Sequence, residues 1–183
     1  MVFVPESKNR GDFSKLYYIY DYKPYWIYDD FGSKRRNPDF DSDSGLVLDL
    51  KDKKDKGVDC FFDKLDSCVN NSVPIAIVPS HDPSKRSTGI KKVAKKLADN
   101  GRIDATSCLK RTRKIEKLAN GGSRAIEVHL DSIVVVNSHL IEGKDVLLLD
   151  DVTTSGNSLA ACEQLLIEAG ANRVQLYAFA KKA

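Results

Sequence analysis

The chain has 183 residues, enough for one domain with a proper α/β core, and its 42% hydrophobic and 30% charged content is that of an ordinary globular protein. No apolar run approaches the length needed to cross a bilayer, and the opening residues, with Glu6, Lys8, Arg10 and Asp12, lack the apolar core of a secretory signal. The net charge of +3 hides an asymmetry: between His81 and Arg124 there are 13 Lys plus Arg against four Asp plus Glu, a surplus of +9 that leaves the rest of the chain at −6. Such a region points to a polyanionic partner, a phosphorylated small molecule or nucleic acid, with a solvated basic helix face as the plain alternative.

After a polar start, the stretch LYYIYDYKPYWIYDD, ending at Asp30, carries six of the seven tyrosines and the only tryptophan. Its aromatic density predicts two short strands turning near Lys23-Pro24. Residues 32–45 hold turn formers and charge and read as a surface loop. Val58, Phe61, Phe62, Leu65 and Val69 follow the spacing of one buried helix face over about 57–69. The run VPIAIVP (73–79) fits a strand covered on both faces. A helix over about 88–99 turns Ile90, Val93, Ala94 and Leu97 inward and its lysines outward. Residues 105–109 are a brief strand candidate. The stretch 111–126 is basic and polar, with a Gly121-Gly122 break, and reads as mobile. IVVV (133–136) and DVLLLD (145–150) are expected as buried strands, Ser158–Ala169 as a helix capped by Gly170, and VQLYAF (174–179) as a final strand. Strands alternating with helices imply a parallel sheet with helices on both faces, with ligands at the carboxyl ends of the strands.

The four cysteines, Cys60, Cys68, Cys108 and Cys162, form no C-x-x-C pair and show no zinc-like spacing with the three histidines. Free thiols in a reducing cytoplasm are the expectation.

The segment VLLLDDVTTSGNSL, Val146 to Leu159, carries the chemistry. An apolar strand ends in two adjacent carboxylates, small hydroxyl and glycine residues follow, and a helix then begins. Small residues let backbone N–H groups converge, hydroxyls add donors, and the helix N-terminus contributes partial positive charge, so the segment reads as a phosphate cradle. The carboxylates can accept from a sugar diol or help hold a divalent cation. An Asp pair at a strand end is also ordinary turn chemistry, and Thr-Ser-Gly-Asn is common loop material. Their succession between a buried strand and a helix favours the cradle. A Walker B strand ends similarly, but the G-x-x-x-x-G-K-[ST] loop it requires is absent.

This segment resembles the phosphoribosyl-pyrophosphate (PRPP) signature of type I phosphoribosyltransferases, and within them the ComF-like subgroup. The resemblance runs from about Leu46 to the last residue and is strongest over Val146–Leu159. It implies the type I phosphoribosyltransferase fold, a parallel α/β core over residues 46–183, preceded by a hood or extension over 1–45. By the same resemblance Asp150 and Asp151 would meet the ribose hydroxyls and Mg²⁺. Thr154, Ser155, Gly156, Asn157 and Ser158 would wrap the 5-phosphate, with Thr153 supporting the turn. The loop bearing Ser80, His81, Lys85 and Arg86 would bind pyrophosphate. Lys110, Arg111 and Arg113 would neutralise pyrophosphate as it leaves, with 112–130 as a lid. The implied reaction is magnesium-dependent transfer of a phosphoribosyl group to a nitrogen acceptor. The sequence departs from the family pattern in having Thr154 where purine-type enzymes often carry an Asp base. It also has no cysteine within residues 1–59 for the zinc site of ComF relatives. A non-catalytic PRPP- or nucleotide-sensing regulator and a nucleic-acid-binding accessory protein are the rival readings. The aromatic segment serves as a hood, a nucleobase-stacking platform or a homodimer surface, of which the hood is preferred. His81 is balanced between ligand and turn residue, and His129 and His139 read as structural.

Overall fold

The computed structural model describes residues 1–4, 14–85, 87–116 and 126–182. In chain order its elements are β1 (Tyr17–Tyr22), β2 (Trp26–Tyr28), β3 (Lys34–Arg36), α1 (Ser42–Lys51), α2 (Asp55–Asp66), β4 (Pro74–Ile77), α3 (Gly89–Asp99), β5 (Ile103–Asp104), β6 (Leu109–Arg111), α4 (Ile126–Leu130), β7 (Ile133–Val135), β8 (Asp145–Thr153), α5 (Asn157–Glu168) and β9 (Arg173–Lys182). Five of the strands form one sheet in the order β1-β9-β8-β4-β5, and every pairing in it is parallel.

Strand alternation divides the core in two. Leu147 and Leu149 of β8 join Ile75, Ile77, Phe179, Leu50, Phe61, Val93 and Leu97 on the face covered by α1, α2 and α3. Val146 and Leu148 point the other way, with Ala76, Ala178, Leu159, Cys162 and Leu166, under α5. The expected α/β architecture, with helices on both faces of a parallel sheet, is what forms. A central strand buried on both faces explains why β8 reads as a continuous apolar run.

The N-terminal aromatic segment differs in detail from its sequence reading. A hairpin is present, but its strands are β2 and β3, antiparallel with Trp26 opposite Arg36 and Tyr28 opposite Lys34. The first tyrosine-rich strand, β1, instead pairs in parallel with β9 and forms an edge of the main sheet. Lys23-Pro24 is therefore a link between the sheet and the hairpin. The supposed surface loop 32–45 contains β3 and the start of α1, whose N-terminus is capped by Asp41 accepting from the Ser44 N–H at 2.8 Å. No clear apolar stripe marks α1 in the sequence, because Leu46, Val47, Leu48 and Leu50 cluster too closely for helical spacing.

Two other expectations shift. Of the strand expected at 105–109 only Leu109 lies in one, as the first residue of β6, and 105–108 form the turn between β5 and β6. IVVV is only half-buried: β7 pairs with β6 in a separate two-stranded ribbon, leaving Val134 42% exposed.

The end of α1 is clamped between two helices. A Cβ on Gly57 would lie 2.4 Å from the Leu50 backbone N, and one on Gly89 would lie 1.8 Å from the Leu50 carbonyl O. Only glycine allows α2 and α3 to approach α1 this closely. The turn between α1 and α2 is thereby held against the start of α3, at the carboxyl end of the sheet.

Candidate functional site

At that end of the sheet lies a cleft of about 670 Å³. Its floor is the end of β8. Asp150 and Asp151 are both part-buried there, and each folds onto the backbone that follows it: the Asp151 N–H donates to Asp150 Oδ1 at 2.9 Å, and the Val152 N–H to Asp151 Oδ1 at 2.6 Å. Ser158 Oγ, in the first turn of α5, donates to Asp150 Oδ2 at 3.4 Å. Burial, and then the charge of Asp151, push the Asp150 carboxyl well above its usual value, against weaker pulls from the Asp151 N–H, Ser158 and Lys51. The buried Cys162 thiol is pushed up in turn, by burial and by Asp150.

One wall is the loop that follows β4. Asp82 organises it by accepting from the Ser84 N–H at 2.9 Å and from Ser84 Oγ at 2.7 Å. Ser80, His81, Lys85, Ser87 and Thr88 from this loop line the cleft. Thr88 also caps α3 by accepting from the Lys91 N–H.

Arg111, 4% exposed, ties that loop to the β6–β7 ribbon. Its Nε donates to the Ser80 carbonyl at 2.7 Å, Nη2 to the Pro79 carbonyl at 3.3 Å and Nη1 to Ser132 Oγ at 2.6 Å. Among the described residues no carboxylate pairs with it. Burial lowers its pKa, the expected response of a cation in a poorly solvated place. His129, 2% exposed, lies beside it with Nδ1 3.5 Å from Arg111 Nη2.

Lys51 and Lys53, from the clamped α1–α2 turn, complete the lining. Lys51 Nζ lies 4.7 Å from the centre of the Tyr22 ring at the end of β1. Lys53 has a left-handed φ of 63°. Its carbonyl accepts from Lys92 Nζ at 3.0 Å, which holds the turn to α3. Among the described residues neither cation has an ion-pair partner, and the same is true of Lys85. The cleft therefore sets Lys51, Lys53, Lys85 and Arg111, none of them ion-paired among the described residues, around two carboxylates.

Of the residues singled out in the sequence, the cleft gathers Ser80, His81, Lys85, Arg111, Asp150, Asp151 and Ser158. Lys110 and Arg113 are exposed and do not line it. Thr154, Ser155, Gly156 and Asn157 form the turn into α5, outside the lining, with Gly156 supplying the φ of +82° the turn requires. Thr153 is buried, and its Oγ1 lacks a partner among the described residues. Arg86 lies outside the described residues, as does 117–125 of the expected lid. The described ends of that segment are structured: the Ile115 N–H donates to the His81 carbonyl at 3.0 Å, and Ile126–Leu130 are helical. His139 is exposed in a 3₁₀ turn, not in a core.

Lys51 and Lys53 are charged cleft residues that the sequence does not single out, and His129, which reads there as structural, also lines the cleft. Lys51 and Lys53 sit in KDKKDK, which is indistinguishable from a solvated charge run. The basic surplus after His81 is only partly at the cleft, because Lys92, Lys95 and Lys96 of α3 pair with Asp55, Asp104 and Asp59. Among the described residues no helix is long and apolar enough to cross a membrane.

A parallel sheet whose central strand ends in paired acids, facing a cationic loop across a cleft, is an α/β arrangement that can accommodate an anionic ligand at its strand ends. The model of the phosphoribosyl transferase domain family matches residues 90–183, just over half of the chain, and the chain belongs to that family. No curated protein matches it.

Proposed function

We propose that this protein is a phosphoribosyltransferase of the ComF-like kind, which binds PRPP with Mg²⁺ and transfers the phosphoribosyl group to a nitrogen acceptor, releasing pyrophosphate. The observation that carries the reading is the cleft's charge pattern: four cations without ion-pair partners among the described residues, around a carboxylate pair. Arg111 is a buried cation without a counter-ion among the described residues, and three exposed lysines face the same cleft, an arrangement suited to a ligand that supplies several negative charges. A carboxylate pair beside them calls for hydroxyls or a cation on the same ligand. A sugar bearing a diphosphate has both.

The residues present suit Mg²⁺. Among the described residues no three His, Cys, Asp or Glu side chains converge, so Asp150 and Asp151 would be its protein ligands, with oxygens of ligand and water completing the shell. When bound, the ion supplies charge neutralisation to the diphosphate and the ribose hydroxyls. In this reading Arg111, Lys85 and the Ser80–His81 turn hold the pyrophosphate. Asp150 and Asp151 orient the ribose, and the turn at Thr154–Ser158 takes the 5-phosphate. The acceptor nitrogen forms its bond to the anomeric carbon as the bond from that carbon to the pyrophosphate oxygen breaks. Pyrophosphate departs with the electron pair into the cationic wall. Fixed donors already aimed at the place where charge develops need no reorganisation during that step.

Calorimetry with PRPP in the presence of Mg²⁺, followed by mass spectrometry of products from a pool of bases and amines, tests this. Micromolar binding and release of pyrophosphate are expected. Binding without pyrophosphate release would make the protein a sensor, and no affinity for PRPP or pyrophosphate would overturn the reading.

A second reading rests on the hairpin. Trp26 and Tyr28, 46% and 67% exposed, share one face of the ribbon with Arg36 and Lys34, and Lys34 Nζ lies 4.4 Å from the centre of the Trp26 ring. Alternating rings and cations suit stacked bases and their phosphates, so nucleic acid is the alternative partner. Oligonucleotide binding that weakens steeply with salt, and is lost in Trp26→Ala, would favour it.

A further inference from the structure

We infer that the acceptor is acidic, a nitrogen compound bearing a carboxylate or similar anionic group, and that Lys51 is the residue that selects it. The inference rests on the reading of the cleft as a phosphoribosyl-transfer site, and it names the class of acceptor that this site would take.

Lys51 is held at one end of the cleft. It is the last residue of α1, whose end is clamped by the close approach of Gly57 and Gly89 to Leu50. Its Nζ rests 4.7 Å from the centre of the Tyr22 ring, a seat that favours a cation. From there its charge reaches Asp150, whose pKa it pulls down against the larger effects of burial and Asp151. Among the described residues no carboxylate pairs with it. The acids nearest in sequence are engaged elsewhere, Asp49 and Asp52 with Lys54 and Asp55 with Lys92.

Topology sets this cation apart from the other anion sites of the cleft. Tyr22 ends β1, and in the order β1-β9-β8-β4 that strand is three steps from β4, about 14 Å at the usual strand spacing. The loop after β4 carries the Pro79 and Ser80 carbonyls that hold Arg111. The faces of the sheet differ as well. Tyr22 belongs to the core under α1, α2 and α3, and Asp151, in step with Leu147 and Leu149, turns to that face, where its charge is felt at Tyr22. Arg111 lies towards the α5 face: its charge bears on Cys162, and Leu109 of the same strand joins the core under α5. The turn at Thr154–Ser158 is on that side too, since a Cβ on Gly156 would meet Leu16, which packs on the same core, at 4.0 Å. A diphosphate against Arg111 and a 5-phosphate in the turn both leave Lys51 unanswered, across the carboxylate pair. The remaining ligand is the acceptor. An anionic group on it would meet Lys51 while its nitrogen faces the ribose held at Asp150 and Asp151.

The experiment uses the full chain saturated with Mg²⁺ and inorganic pyrophosphate, titrated calorimetrically with matched aromatic nitrogen compounds that differ in charge. The pairs are nicotinate and nicotinamide, 4-aminobenzoate and 4-aminobenzamide, and orotate and orotamide. Wild type is expected to bind at least one acid about tenfold or more tighter than its amide, the effect of a hydrogen bond to a charged partner. Lys51→Met keeps the stem and removes the charge, and circular dichroism checks its fold. It should abolish that preference while lowering pyrophosphate affinity only about twofold, because it loses a screened attraction at a distance. Lys51→Arg should keep the preference. If wild type prefers no acid over its amide, a result that needs no variant, Lys51 is a surface lysine resting on Tyr22 and the inference is overturned. It is equally overturned if the preference survives in folded Lys51→Met, or if that variant loses pyrophosphate affinity tenfold, which would move Lys51 into the diphosphate subsite. Each of these leaves the diphosphate reading standing. If wild type binds no pyrophosphate, that reading itself fails and the acceptor inference falls with it.

Discussion

Replacing Asp150 by asparagine is expected to stabilise the ligand-free protein at pH 7, while the double change Asp150→Asn with Asp151→Asn abolishes magnesium-dependent PRPP binding. The stabilisation follows from proton linkage. The Asp150 carboxyl is raised well above 3.8 in the folded chain, by burial and then by Asp151, whereas the unfolded chain has the ordinary value. The folded state therefore holds this proton more tightly than the unfolded state does, and stability falls as pH rises from the unfolded value through the raised one. At neutral pH, above the unfolded value, the penalty is present. Asparagine removes it and keeps the oxygen that accepts from the Asp151 N–H, while its amide nitrogen takes the place of the oxygen facing Ser158 Oγ and can donate to that hydroxyl. Because Asp150 is partly exposed, solvent screens the effect, and the gain should be that of an ordinary functional-site relief, about 1 kcal/mol or roughly 2–4 °C in Tm. Near pH 3.5 both proteins carry a neutral group there and the two Tm values should converge. A difference in Tm that does not change with pH would show that like-charge strain is not the cause. Intact magnesium-dependent binding in the double variant would remove these carboxylates from the ligand's environment.

The same two residues show why part of this site is legible in the sequence and part is not. Asp150 and Asp151 stand out because a central parallel strand must be apolar on both faces, so carboxylates appear in it only where it emerges from the core. Gly156 stands out because the turn into α5 needs a left-handed residue. The face assignments of β4 and β8 follow from the same constraint. Lys51 and Lys53 reach the cleft only through tertiary packing: Gly57 and Gly89 let two helices close on Leu50, and neither glycine lies near the lysines in a recognisable motif. β1 reads as half of a local hairpin because aromatic alternation signals a strand without naming its partner. That partner, β9, is more than a hundred residues away, with Tyr17 beside Tyr177. Arg111 is visible as part of a basic strand end, but its burial is not, since nothing local reveals that the Pro79 and Ser80 carbonyls turn towards it.

That burial makes Arg111 the position at which substitution should have the broadest consequence. In Arg111→Met two effects oppose. Removing a buried charge without a counter-ion relieves a desolvation penalty. It also strips the Ser80 and Pro79 carbonyls and Ser132 Oγ of their donor, at about 1–3 kcal/mol for each buried acceptor left unpaired. Ser80 and Pro79 line the cleft, where water can take the lost place, whereas Ser132 is wholly buried and its hydroxyl is left to donate to the Val128 and His129 carbonyls with nothing donating to it. Orphaned acceptors should therefore outweigh the relief by a modest margin, a net loss of about 2 kcal/mol in urea unfolding. The effect on ligand should be larger, about a hundredfold loss of pyrophosphate affinity, because one substitution removes the buried cation and loosens the loop bearing His81 and Lys85. Arg111→Lys separates the two contributions. A single ammonium restores the charge but cannot span three acceptors, so it should recover part of the affinity and little of the stability. The decisive comparison is thermal. Pyrophosphate in excess should raise the Tm of wild type, as a ligand specific for the native state must, and leave that of Arg111→Met nearly unchanged. Equal stabilisation of the two proteins by pyrophosphate would make Arg111 a structural tie between loop and ribbon, with the anion held by the lysines alone.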